Sequence, residues 1–237
     1  MTVMLEARAL RKSFGGLVAV DDVSFTLSRA ERVALIGPNG AGKSTCFNLL
    51  SGEAAPDTGQ IILDGTDISR LAPHVRQRAG LGRTFQIAAV FRSMTVSENV
   101  TTALIAAGRS PDNRRALLAE VGLAGLGARL VTDLAYGDIK RVEMAMALAA
   151  RPKVLLLDEP TAGMAGPERT RIMETAAALA DKNGTALLFT EHDMDAVFGF
   201  ADRILVMDQG RLIADGTPDE IRENTEVKRV YLGDPDA

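Results

Sequence analysis

A glycine-rich stretch that follows a short apolar run most constrains the fold of this chain. It reads GPNGAGKST, residues 37–45, and matches the pattern G-x-x-x-x-G-K-[ST]. The residues before it, RVALIG at 32–37, predict a strand, and a helix-like segment opens at Gly42. A strand, a glycine-rich loop and a helix in this order predict a phosphate-binding loop in an α/β fold.

The residue types of this loop fit a chain of phosphates. Glycines let the backbone wrap around an anion and direct successive N–H groups towards it. Lys43 adds a positive charge for the β- and γ-phosphates, and the Ser44 hydroxyl can ligate Mg²⁺. A chance glycine-rich turn is the alternative, and residue usage gives such a match in about 1% of chains of this length. The predicted site comprises Gly37, Pro38, Asn39, Gly40, Ala41, Gly42, Lys43, Ser44 and Thr45.

The second half of the chain alternates between apolar runs and helical patterns. Strands are predicted in KVLLLDEP (153–160), TALLFTEH (185–192) and RILVMDQG (203–210), and PERTRIMETAAALADKN predicts a helix between the first two. Four consecutive apolar residues before Asp158 are typical of a central parallel strand. This alternation predicts a doubly wound, mainly parallel sheet.

Two other regions depart from that alternation. VSFTL (23–27) and GQIILDGTDIS (59–69), with Asp64-Gly65 as a turn, predict an N-terminal antiparallel β subdomain. Residues 87–150 are mostly helical in pattern, with a capping box at Thr95 and Glu98 and a second helix begun by Pro111. We therefore predict one domain over 1–237: a catalytic core with its β subdomain in 1–86 and 151–237, and an inserted helical lobe in 87–150.

Composition limits the classes of function. The 27 basic and 31 acidic side chains give a net charge of −4, which offers no support for nucleic-acid binding. The single cysteine, Cys46, permits no disulfide within the chain. Glu6 and Arg8 argue against a signal peptide, and the longest apolar run, 144–150, is too short to span a bilayer. A membrane role would therefore need a partner.

Four polar residues are candidates for the chemistry. Asp158 ends a predicted buried strand, where a carboxylate can hold Mg²⁺ through water, and Glu159 beside it can serve as the general base for water. His192 follows another buried strand at the same sheet edge and could contact the γ-phosphate or the attacking water. Gln86, in GRTFQ, could contact the metal and the water. Without the phosphate loop, each would be an ordinary turn or surface residue.

The segment LAYGDIKR, residues 134–141, has two interpretations on its residues alone. It could be a turn that caps a helix, or it could be half of a phosphate site that a second chain completes.

The order of GPNGAGKST, Gln86, LAYGDIKR, VLLLDEP and His192 resembles that of the ATP-binding subunit of an ABC transporter. The resemblance runs from LRKSFGGLVAVDDVSF near the start to the hairpin GRLIADGTP near the end. It implies a P-loop NTPase fold, ATP hydrolysis, and ATP and Mg²⁺ as ligands, with metal contacts from Ser44, Gln86 and Asp158. Phe14 would stack on adenine, and Val20 would line the same face.

The resemblance also implies partners. The signature loop would close over the nucleotide of a second ATP-binding subunit, identical or similar, packed head to tail. It comprises Leu134, Ala135, Tyr136, Gly137 and Asp138. Transmembrane permease subunits would be energised, and IAAVFRSM (87–94) would receive a short permease helix, although packing of this segment on the core is the alternative. A periplasmic substrate-binding protein would act indirectly, and the chain would lie at the cytoplasmic face of the inner membrane.

Several residues depart from the common LSGGQ signature. Ala135 lacks a hydroxyl, Tyr136 replaces a glycine, and Asp138 replaces glutamine; Ala165 stands where aspartate is common. Asp138 should weaken closure over a triphosphate unless it points away or pairs with Lys140 or Arg141. We therefore hypothesise slow hydrolysis without the partner.

Details of the motifs indicate the subfamily. LAYG, GRTFQ, the stretch 190–218 and the ending VKRVYLG (227–233) resemble the ATPases of branched-chain amino acid importers. Urea and amide importers and the lipopolysaccharide-extraction ATPase share much of this pattern. Two further classes stay open: an ABC ATPase of repair or translation, which usually carries a coiled coil or a second cassette, and a weakly hydrolysing nucleotide-gated module.

Overall fold

Two sheets organise the chain. The computed structural model describes residues 2–232, and the side chains of residues 2–230. The last residue of VKRVYLG, Gly233, and residues 234–237 of the predicted domain lie outside the described residues.

The first sheet is antiparallel and has the strand order β2-β1-β4-β5. Its strands are β1 (Val3–Phe14), β2 (Leu17–Ser28), β4 (Thr58–Leu63) and β5 (Thr66–Asp67). Between β4 and β5, Asp64 and Gly65 have φ angles of 46° and 77°, the left-handed backbone that a two-residue hairpin of the primed type requires. The predicted hairpin and antiparallel subdomain are confirmed.

The second sheet has six strands in the order β10-β9-β3-β8-β7-β6. Adjacent strands of this sheet run parallel, except for β9 and β10, which form an antiparallel hairpin. Alternate residues of β3 enter two different apolar cores, because Ala34 and Ile36 face one and Val33 and Leu35 face the other. The strands are β3 (Arg32–Ile36), β6 (Leu81–Arg83), β7 (Val154–Asp158), β8 (Ala186–Thr190), β9 (Arg203–Asp208) and β10 (Arg211–Gly216).

Helices cover both faces of this sheet. The core holding Val33 includes Phe47 of α1 and the inner face of the antiparallel sheet, and the core holding Ile36 includes Ile172 of α6. These helices are α1 (Lys43–Ser51), α2 (Pro73–Ala79), α6 (Gly166–Asn183), α7 (Met194–Phe200), α8 (Pro218–Glu223) and α9 (Thr225–Leu232). The predicted α/β class with a mainly parallel sheet is therefore correct.

Three further helices lie between β6 and β7: α3 (Val96–Ala106), α4 (Arg114–Glu120) and α5 (Tyr136–Leu148). The predicted capping box is present, because Glu98 N–H donates to Thr95 Oγ1 over 3.2 Å and Thr95 N–H donates to Glu98 Oε2 over 2.7 Å. The helix expected from Pro111 starts later. Pro111–Asn113 forms a 3₁₀ turn capped by Ser110, and the α-helix begins at Arg114. The lobe boundaries at 87 and 150 stay a prediction.

No helix in residues 2–232 combines the length and the apolar character needed to cross a membrane.

Candidate functional site

The glycine-rich loop connects β3 to α1 and packs tightly against neighbouring backbone. Gly42 has φ = 102° directly before α1, and a Cβ atom there would collide with the carbonyl oxygen of Ala19. A Cβ on Gly37 would overlap the carbonyl oxygen of Met207. Because any other residue would displace these strands, the two glycines fix the entry of α1, whose N-terminus faces the loop.

An open pocket of about 710 Å³ lies over this loop. Phe14 lines it from the end of β1. The remaining lining residues are Leu17, Val18, Ala19, Asn39, Gly40, Ala41, Gly42, Lys43, Ser44, Thr45, Glu159, His192 and Gln209. Sequence reasoning missed Leu17, Val18, Ala19 and Gln209, which no motif signals.

The prediction that Val20 lines this face is wrong. Its side chain is fully buried in the core between the antiparallel sheet and β3. Val18 is two residues earlier on the same face of β2, where the strand extends past the core, and it lines the pocket instead.

Lys43 is the cation of the pocket. Its Nζ donates to the carbonyl oxygens of Gly37, over 2.6 Å, and Pro38, over 3.0 Å, so these two loop residues hold the lysine and are not themselves lining residues. Burial lowers the pKa of Lys43, and the charges of Glu159 and Asp158 oppose that shift. The lysine is thus held at the mouth of the loop by groups that phosphate oxygens can replace.

Glu159 brings the three predicted catalytic residues together. Its Oε2 accepts from Gln86 Nε2 over 2.9 Å, and its Oε1 lies 2.8 Å from His192 Nε2. The backbone at Glu159 is left-handed, with φ = 46°, and its N–H donates to Thr190 Oγ1 over 3.0 Å. A non-glycine residue in this conformation is held there by its surroundings, and such strain is concentrated at functional sites.

Asp158 lies beside this group and is largely buried. Its Oδ2 is 3.2 Å from Arg83 Nη2, and its Oδ1 accepts from Thr190 Oγ1 over 3.0 Å. Sequence reasoning missed both partners, although β7 and β8 pair in parallel with Asp158 opposite Thr190. Oxygen donors suit Mg²⁺, and two are present here: Ser44 lines the pocket, and Asp158 is close enough for its charge to act on Lys43, so these residues fit the ion.

The signature segment lies outside this pocket. Ala135 precedes the first turn of α5, where Tyr136 is 43% exposed, and neither residue lines the pocket of its own chain. Leu134 is half-buried against the apolar core, and Gly137 is buried. Asp138 forms an ion pair with Arg141 over 3.1 Å, which is the neutralisation that the sequence left as one alternative.

A buried ion pair ties the signature helix to the segment that carries Gln86. Lys140 and Glu143 of α5 are each 3% exposed, and Lys140 Nζ lies 3.3 Å from Glu143 Oε2. Lys140 also donates to the carbonyl oxygen of Gln86 over 2.9 Å, and Glu143 accepts the N–H groups of Phe85 and Ala89 over 2.9 and 3.0 Å. The position of Gln86 therefore depends on α5.

The fold and this pocket define a P-loop nucleotide-binding protein. The family model described as "ABC transporter" matches residues 20–162. The fold superposes on a solved ATP-binding cassette of an ABC transporter in its ADP conformation with a TM-score of 0.89, at 30% identity over 99% of this chain and 100% of that one. A nucleotide-free cassette matches with a TM-score of 0.88. The chain belongs to the ABC transporter family, which confirms the predicted resemblance and the predicted class of enzyme, an ATPase that binds ATP.

Three relatives match almost end to end. The high-affinity branched-chain amino acid transport ATP-binding protein LivG of Salmonella typhimurium is 41% identical, and BraF of Pseudomonas aeruginosa is 38% identical, each over 98% of both chains. The lipopolysaccharide export system ATP-binding protein LptB of Escherichia coli is 40% identical over 97% of both chains. A second family model, "Branched-chain amino acid ATP-binding cassette transporter", matches residues 211–237.

Proposed function

We propose that this chain energises an inner-membrane importer of branched-chain amino acids or of a related amino acid or amide. The observation that carries its enzymatic part is Glu159, held between Gln86 and His192 at the phosphate pocket. The substrate class is supported by the match at 211–237 and by the similarity to LivG and BraF.

Each side chain of the pocket has a distinct part in the chemistry. The N–H groups of the loop, the N-terminus of α1 and Lys43 bind the phosphates, and Phe14 stacks on the base. Glu159 accepts the proton of the attacking water, while His192 and Gln86 orient its two carboxylate oxygens. Ser44, Asp158 and Gln86 would hold Mg²⁺, which neutralises charge on the β- and γ-phosphates when bound.

The signature loop serves a second cassette. Ala135 and Tyr136 are exposed and lie away from the pocket of their own chain, so the loop cannot close over its own nucleotide without a rearrangement of the fold. Two chains packed head to tail would give each pocket the other chain's loop. ATP binding would close this dimer, and hydrolysis would reopen it, with the partner cassette identical to this chain or similar to it.

A groove beside the Gln86 segment fits the transmembrane partner. It has a volume of about 250 Å³ and is lined by Phe85, Phe91, Ala103, Ala106 and Met146, among others. Phe91 is 47% exposed and Ile87 is 79% exposed, whereas Val90 packs against the core. An apolar face of a short permease helix would cover the exposed pair, and would place the chain at the cytoplasmic face of the inner membrane.

Lipopolysaccharide export is the second candidate, since LptB is 40% identical over 97% of both chains. In either system the transported molecule is bound by other components, namely the permease and, for import, a periplasmic substrate-binding protein. The formal net charge of −4 gives no basis for a nucleic-acid partner.

The test is a tagged purification from gently solubilised membranes, with co-purifying proteins identified by mass spectrometry. We expect a polytopic permease, whose own sequence distinguishes amino acid import from lipopolysaccharide export. Phe91→Asp should lose the permease, whereas the control Val3→Asp, at an exposed apolar residue of β1, should keep it. Recovery of soluble partners alone would refute the transport role.

A further inference from the structure

The side chain of Glu168 lies directly against Gly137 of the signature loop. Glu168 belongs to the first turn of α6, and a Cβ atom built on Gly137 would lie 2.6 Å from Cδ and 3.0 Å from Cγ of Glu168 and would overlap Oε1. This contact explains why Gly137 is buried while Ala135 and Tyr136 before it are exposed. The glutamate thus covers the one glycine of the loop.

Asp138 belongs to this loop and Glu168 is in contact with it, and these two carboxylates differ in their partners. Asp138 is neutralised by Arg141 over 3.1 Å. The carboxylate of Glu168 is half-buried, and within the part of the chain that the structure describes it has neither a hydrogen-bond donor nor a basic partner. Of these two carboxylates, the one without a cationic partner is therefore Glu168, and the residue that the sequence singled out, Asp138, is paired.

We propose that Glu168 is an electrostatic brake on ATP-driven closure of the dimer, and this proposal rests on the proposed function. In the head-to-tail dimer, Gly137 approaches the triphosphate bound by the partner, and Glu168 approaches with it. A carboxylate and a triphosphate repel each other, and the repulsion is strongest where water is excluded between the two chains. Glu168 thereby raises the ATP concentration at which the cassettes close.

The experiment measures the ATP concentration that gives half-maximal dimer, by analytical ultracentrifugation, in the Glu159→Gln background that prevents turnover. Glu168→Gln keeps the shape of the side chain and removes its charge. We expect it to lower this concentration about 2- to 5-fold, the range for a partly exposed charge contact. The control is Glu174→Gln, which makes the same charge change at an exposed site on α6, about 9 Å further along the helix axis.

Two further measurements separate charge from packing. Glu168→Ala removes both the charge and the contact with Gly137, and it should also lower the ATP requirement. The difference between Glu168→Gln and its parent should shrink as salt rises from 0.05 to 0.5 M, because ions screen charges that reach solvent. If the difference in the ATP requirement did not change with salt, or if Glu174→Gln showed the same difference, the proposal that Glu168 is a brake would be overturned.

The outcomes distinguish this proposal from the function on which it rests. If the Glu159→Gln protein forms no dimer at any ATP concentration, the head-to-tail mechanism fails and the brake fails with it. If it forms dimers, and Glu168→Gln leaves the ATP concentration for half-maximal dimer unchanged or raises it, the brake alone is refuted.

Discussion

The phosphate pocket and the signature loop are two halves of one proposed site, and they are built differently. The pocket gathers its groups from the carboxyl ends of β3, β7 and β8, which meet at one sheet edge because the strands are parallel. The signature loop depends on one helix, α5, in which Lys140 is bonded to the Gln86 segment and Gly137 is in contact with Glu168 of α6. In the proposed function, the first half has its chemistry within one chain, whereas the second would gain a ligand only from a partner.

The largest effect should come from Glu159→Gln, which removes the proposed general base and keeps the shape of the side chain. We expect ATP turnover to fall about 10²- to 10⁴-fold, and ATP to hold the protein as a dimer. Phosphate release and sedimentation in ATP measure the two effects. The control Glu174→Gln should keep both wild-type values. Equal turnover in wild type and Glu159→Gln would show that Glu159 is not the general base of the pocket.

Lys140→Met tests how much the buried ion pair with Glu143 stabilises the helix that carries the signature loop. It leaves Glu143 buried without its cation, and loss of one partner of a buried ion pair costs about 3–5 kcal/mol. Chemical denaturation measures this loss. In Lys140→Met/Glu143→Gln no charge is left uncompensated, and an amide oxygen still faces the N–H groups of Phe85 and Ala89, so the double variant should be more stable than the sum of the single effects predicts.

Additive losses in that double variant would show that the pair does not act as a unit. The same variants should lower turnover beyond the effect on stability, because Lys140 holds the backbone of Gln86, which contacts Glu159. If these variants kept the wild-type turnover per folded molecule, the signature helix would not position Gln86 for its contact with Glu159.

Phe14→Ala should have a smaller effect, confined to the pocket half. Phe14 is 52% exposed at the pocket rim, and loss of a base-stacking aromatic costs about 1–3 kcal/mol of binding. Because stacking tolerates any base, the affinities for ATP and GTP should fall together, as measured by equilibrium titration. Phe91→Ala, with similar exposure but outside the pocket, is the control and should bind ATP normally.

The two halves also differ in how far the sequence predicts them. The motif GPNGAGKST and the strand end Asp158-Glu159 are local signals, so both the fold and the pocket chemistry could be inferred from short stretches. The contacts of Arg83 with Asp158 and of Glu168 with Gly137 join residues far apart in the chain, and no local pattern reports them. The expectation for Val20 came from the resemblance, which does not report where β2 leaves the core.

The smallest expected effect concerns Asp57, which anchors the strand that carries Phe14. A hydrogen bond from Lys12 over 2.9 Å, with others from Ser13 N–H and Oγ over 2.7 and 2.8 Å, lowers the pKa of Asp57 to about 2. In the unfolded chain an aspartate has a pKa of about 3.9, so these contacts stabilise the fold above pH 4, and their contribution disappears as pH falls towards 2.

Asp57→Asn should therefore have a lower Tm than wild type at pH 6, and the two melting curves should converge near pH 2. Ser13→Ala, which loses only the hydroxyl bond, should show part of the same difference. Since Asp57 holds β1 and not α5, ATP affinity should respond to Asp57→Asn, while the stability effect of Lys140→Met should be the same with and without it. Coupling between the two stability effects would mean that the anchor of β1 and the helix α5 are not independent.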